Sequence, residues 1–68
     1  MNTGKIKWFD ERKGFGFVQP ENGGEDVFVH ISAVVKSGIG NLIEGQKIEF
    51  DIQSERGKES AHNLRKAA

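Results

Sequence analysis

Apolar and polar residues alternate in five short stretches of this chain, and no long helix has room between them. Residues 4–10 (GKIKWFD) open with alternation around Ile6, and residues 14–19 follow, ended by Pro20 and the turn cluster Glu21-Asn22-Gly23-Gly24. In residues 26–31, Val27, Val29 and Ile31 alternate with Asp26, Phe28 and His30. Residues 45–53 set Ile48, Phe50 and Ile52 against Lys47, Glu49, Asp51 and Gln53. A period of two predicts strands with one buried face. A last strand over about 60–66 is weaker, with Leu64 as its best inward residue. Between the third and fourth stretches, Ser32 can cap a single helical turn before Gly38 and Gly40 stop it. Five short strands with glycine-bearing turns predict an all-β, five-stranded barrel, closed or nearly so. Closure also removes the exposed edges an open sheet would carry.

The second stretch has an unusual composition. In Lys13-Gly14-Phe15-Gly16-Phe17-Val18 two rings alternate with two glycines. Glycine packs nothing inside a strand, so with Val18 inward the rings of Phe15 and Phe17 point outward. The third stretch, with Val27 and Val29 inward, points Phe28 and His30 the same way. Four rings then project from two neighbouring strands, with Lys13 at their margin. Parity places Trp8 with the inward Ile6, and Phe9 with Lys5 and Lys7. A β-bulge would reverse this and bring Trp8 outward. Spacing leaves both placements open.

Composition narrows the chemistry. A chain of 68 residues is read as one domain, 1–68, with a small core. It has no cysteine, hence no disulfide framework and no cysteine zinc site, which suits a reducing compartment. No apolar run approaches the ~20 residues of a membrane span, and no signal-peptide core opens the chain. A cytoplasmic protein with no membrane partner is expected. The only histidines, His30 and His62, lack the spacing of a metal-binding helix, and Gly38 and Gly40 lack the third glycine of a dinucleotide fingerprint. A barrel of this size predicts no deep ligand cleft. The expectation is a non-enzyme with no cofactor, no metal and no small-molecule substrate.

Ten Lys and Arg balance ten Asp and Glu, which argues against a binder that relies on bulk positive charge. Locally, Lys5, Lys7, Arg12 and Lys13 outnumber Asp10 and Glu11, whereas residues 19–31 carry only acids. An outward aromatic patch edged by lysine suits single-stranded nucleic acid, whose unpaired bases stack and whose phosphates meet the cations. Stacking contributes about 1–3 kcal/mol per base, more than a screened rim charge. The competing readings are a barrel that binds proline-rich peptides and a duplex binder.

The motifs Gly4-Lys5-Ile6-Lys7-Trp8-Phe9, Lys13-Gly14-Phe15-Gly16-Phe17-Val18, Asp26-Val27-Phe28-Val29-His30, Ser32-Ala33-Val34 and Glu44-Gly45-Gln46, in this order, resemble the bacterial cold-shock proteins over about residues 3–66. An RRM fits less well, since it needs two helices and the reverse motif order. The resemblance implies a five-stranded antiparallel barrel of the OB type that binds single-stranded RNA and DNA. It also implies an RNA chaperone, with roles in transcription antitermination or translation regulation. By position, Trp8, Phe15, Phe17, Phe28 and His30 match the stacking residues, and Phe9 a flanking, partly exposed aromatic. Lys7 and Lys13 match backbone-contacting lysines, Asp26 an acid that meets a base edge, and Lys5 and Arg56 join as further polar contacts. Two positions depart from the family pattern: Ile31 and Ile39 stand where aromatics are usual, so two stacking positions are expected to be lost. A monomer is expected, with strand swapping open to the loop from Lys36 to Asn41.

Overall fold

The computed structural model describes residues 2–67, apart from the Glu55 side chain. Met1 and Ala68, the ends of the expected 1–68 domain, lie outside the described residues. Five strands, β1 (Asn2–Asp10), β2 (Phe15–Pro20), β3 (Val27–His30), β4 (Lys47–Glu55) and β5 (Lys58–Lys66), close into a barrel in the order β1-β2-β3-β5-β4. Four of the pairings, including the β1–β4 closure, are antiparallel. The fifth, β3 with β5, is parallel and brings Phe28 opposite Ser60. The expected five-stranded OB-type barrel is thus present, antiparallel but for this one short seam. The helix and loop between β3 and β4 carry the chain across, so β5 meets β3 running in the same direction.

Two register shifts shape the barrel. Ile6 pairs with Val18 but Trp8 pairs with Phe17, so β1 carries one more residue than β2 over this interval. This bulge turns Trp8 to the face of Phe17 and sets Phe9 opposite Gly16 on the inner side. The second shift lies between Glu49 and Asp51 of β4, where β5 advances by three residues, from Arg65 to His62. Asn63 absorbs it at φ 54°, and its amide donates to Asp51 Oδ2 at 3.0 Å. Ala61 and Leu64 are therefore both buried at a spacing of three.

Val18, Val29, Ile48 and Phe50 are fully buried, with Ile6 and Val27 almost so. The segment after β3 is longer than the single turn expected: α1 spans Ile31–Ser37 and buries Ala33 and Val34. Its N-cap is His30 and not Ser32, and Gly38 ends it in the left-handed conformation. Ser37 ties it to β5 by accepting the Leu64 N–H at 2.9 Å. Beyond it, Ile39 and Leu42 turn into the core. Ile31 is the first residue of α1 and not the last inward residue of β3, so it leaves the alternation of Val27 and Val29.

Candidate nucleic-acid interface

The outward residues of β1, β2 and β3 form one aromatic surface. The register sets Phe17 opposite Phe28 and Phe15 opposite His30, while the bulge adds Trp8 beside Phe17. Ring centroids lie 5.6 Å apart for Trp8–Phe15, 5.5 Å for Trp8–Phe17, 5.7 Å for Phe15–Phe28 and 5.9 Å for Phe17–Phe28. His30 extends the row at 6.2 Å from Phe28. These are the separations of favourable aromatic pairs, most of them steeply inclined, so the rings support one another at the surface. Trp8, Phe15, Phe17 and Phe28 are half-buried and His30 is exposed. The cluster therefore packs against itself and still presents aromatic surface to water.

Gly16 makes this arrangement possible. A Cβ built there would lie 2.3 Å from the Trp8 carbonyl oxygen and 2.7 Å from Phe9 Cα. The bulged strand passes directly over the glycine, and any side chain would push it away. Phe9 fills the space on that inner side and packs against the core. It makes none of the ring contacts of the outward cluster, so of the two placements that spacing left open the structure has the bulged one, with Trp8 outward.

Charged residues edge the rings. Lys7 Nζ donates to Asp26 Oδ2 at 2.7 Å, and the two side chains are 54% and 31% exposed. An exposed pair of this kind holds by less than about 1 kcal/mol, so a ligand can separate it. Lys13 sits in the turn before β2, which Asp10 organises: its Oδ1 accepts the N–H groups of Arg12 at 2.9 Å and Lys13 at 3.3 Å. Lys5 is exposed on β1, facing Lys47 across the β1–β4 pair. Arg56 lies apart from these, in the β4–β5 turn.

Beside Phe17 and Phe28 a half-open groove of about 670 Å³ runs between the β2–β3 loop and the β4–β5 turn, with Asp26, Ile52, Lys58 and Glu59 along it. The groove is wide and open to solvent and not the deep, enclosed cleft of a small-molecule site. Among the described residues no group of three His, Cys, Asp or Glu side chains is placed to hold a metal. No helix there is long and apolar enough to cross a membrane.

The two isoleucines at positions where aromatics are expected, Ile31 and Ile39, differ in placement. Ile39 is only 9% exposed and belongs to the core, so it is no vacant position on the outward surface. Ile31 is half-buried, and its amide donates to the Gly14 carbonyl at 2.9 Å. Sequence reasoning missed three supporting residues: Asp10, Gly16 as a point of close approach, and Ser32 as the partner of His30. Asp10 carries a readable signal, because an aspartate between two strand patterns commonly accepts the backbone N–H two residues on and so forms a turn.

The model of the 'Cold-shock' DNA-binding domain matches residues 2–67. The chain is 55% identical to "Cold shock protein CspA" of Rhizobium meliloti (strain 1021), over 98% of this chain and 100% of that protein. It is 56% identical to "Cold shock-like protein CspA" of Rickettsia bellii (93% and 90% covered). Against "Cold shock-like protein CspE" of Escherichia coli (strain K12) identity is 51%, with 90% and 88% covered. With a family match across nearly its whole length and an aromatic surface on the strands that carry the motifs, the chain belongs to the cold-shock DNA-binding domain family.

Proposed function

We propose that this protein binds single-stranded RNA and DNA by stacking unpaired bases on Trp8, Phe15, Phe17, Phe28 and His30. The observation that carries the reading is the continuous outward cluster of five rings on three adjacent strands. Unpaired bases offer faces to such a surface, whereas a duplex hides them. Lys5, Lys7, Lys13 and Arg56 supply the phosphate contacts, Asp26 meets a base edge once Lys7 is displaced, and Phe9 supports the surface from its flank.

In this reading the protein is an RNA chaperone. It binds unpaired strands and not paired ones, so mass action draws weak secondary structure open without ATP. It acts as a cytoplasmic monomer, and opening of hairpins is the step by which it would serve transcription antitermination or translation. No catalysis and no cofactor are assigned to it.

Trp8 fluorescence titrated with a pyrimidine-rich oligonucleotide is expected to quench at micromolar concentration or below. A molecular-beacon RNA should open when protein is added to saturation. Unchanged fluorescence at low salt would reject nucleic-acid binding, and a beacon that stays closed would reject the chaperone role alone. Equal affinity for a duplex of matched sequence would point to double-stranded binding.

A further inference from the structure

The His30 ring is held from a side that stacking leaves unused. His30 precedes α1 with extended backbone, φ −92° and ψ 149°. Its Nδ1 lies 3.1 Å from the Ser32 backbone nitrogen and 2.9 Å from Ser32 Oγ. A backbone amide can only donate, so Nδ1 is the acceptor and the neutral ring carries its proton on Nε2. The Ser32 hydroxyl then also donates to Nδ1, and both donors come from one residue. No other protein group among the described residues is bonded to the ring.

We propose that Ser32 is a positioning residue for ligand recognition: it fixes His30 in the Nε2–H tautomer and holds the plane of the ring. His30 then offers a bound strand a hydrogen-bond donor at Nε2 as well as a face for stacking. The ligand group it meets is an acceptor, a base carbonyl or a phosphate oxygen, and never an exocyclic amino group. The ligand part of this inference rests on the nucleic-acid reading above, whereas the fixing of the ring does not.

The surroundings leave the tautomer to Ser32. Phe15 of β2 stands opposite His30 and Phe28 precedes it on the same face. The charged or titratable groups on the elements around it are Lys13 before β2, Lys36 in α1 and Lys58, Glu59, His62, Arg65 and Lys66 on β5, and none of these is bonded to the His30 ring. His62 meets Ser60 Oγ through its own Nε2 at 3.0 Å.

Long-range proton–nitrogen NMR of the free, nitrogen-15-labelled protein at pH 8 tests the fixing without any ligand. The expected result is a single Nε2–H tautomer for His30; a proton on Nδ1, or two tautomers in comparable amounts, would overturn it. Ser32→Ala keeps the backbone amide, and with it the Nε2–H tautomer, but removes the hydroxyl that helps hold the ring plane. It should therefore loosen the His30 ring and weaken binding of a seven-residue oligothymidylate about two- to tenfold, the worth of one hydrogen bond. Ser32→Thr, which keeps the hydroxyl, should restore both. Wild-type affinity in Ser32→Ala, or failure of Ser32→Thr to rescue, would refute the positioning role. If wild-type protein shows the tautomer yet ignores the oligonucleotide, the nucleic-acid reading fails and the fixed ring stands.

Discussion

Each ring on the outward surface touches other rings, so removing one has two separable consequences. Phe15→Ala and Phe28→Ala should each weaken oligonucleotide binding by about 1–3 kcal/mol, the contribution of one stacked base. Each should also lose about 1–2 kcal/mol of stability, because Phe15 and Phe28 both pack edgewise or tilted against their neighbours. Urea denaturation beside fluorescence titration separates the two effects; a variant that unfolds outright would show that the ring belongs to the core. Ile39 gives the opposite pattern. It is buried among core residues, so Ile39→Ala should cost about 2–4 kcal/mol by creating a cavity, with affinity unchanged for the folded fraction. A loss of affinity at full stability would instead place Ile39 on the binding surface.

At the scale of elements, the β4–β5 hairpin has a conformational problem that one substitution relieves. Glu55 pairs with Lys58, leaving Arg56 and Gly57 as a two-residue turn with φ 51° and 78°. Such a turn favours Asn-Gly, because left-handed backbone is unfavourable for a residue with a long side chain. Arg56→Asn should raise stability by about 0.5–1 kcal/mol in thermal or urea unfolding. If Arg56 contacts phosphate, the same variant should flatten the salt dependence of binding by about one ion. An unchanged or lower melting temperature would contradict the turn argument. This hairpin also shows where sequence patterns stop being informative. Strands β4 and β5 are legible over 45–53 and 60–66, but the Arg-Gly turn lacks the usual hairpin signal, so their meeting at residues 55–58 is not. The weak final strand has a similar cause, since the shift at Asn63 replaces a spacing of two with one of three. In β1 the bulge defeats parity at Trp8 and Phe9, although Val18, Val27 and Val29 fall inward as alternation predicts. Local pairing is written in side-chain pattern. Bulges, the parallel seam and the core position of Ile39 depend on contacts between distant residues.

For the whole molecule the decisive quantity is how affinity is divided between rings and charges. Net charge is zero, so no long-range field gathers phosphate from a distance. Only four cations are assigned to the strand, Lys5, Lys7, Lys13 and Arg56, and Lys7 is already paired with Asp26. Releasing counterions from a single strand contributes a slope of about −0.7 per phosphate neutralised, so log K against log salt should fall no more steeply than about −3. With Lys7 spending part of its charge on Asp26, a slope nearer −2 is the expected value. Asp26→Asn frees Lys7 and removes a negative charge beside the rings, so it should steepen that slope by about one unit and raise affinity at low salt. It also deletes the carboxylate assigned to a base edge, and the gain should therefore vanish at high salt, where only stacking and hydrogen bonds remain. Titration of wild type and Asp26→Asn across a salt series checks both. A wild-type slope of −5 or steeper would mean that charge and not stacking holds the strand, and the aromatic surface would lose its leading role.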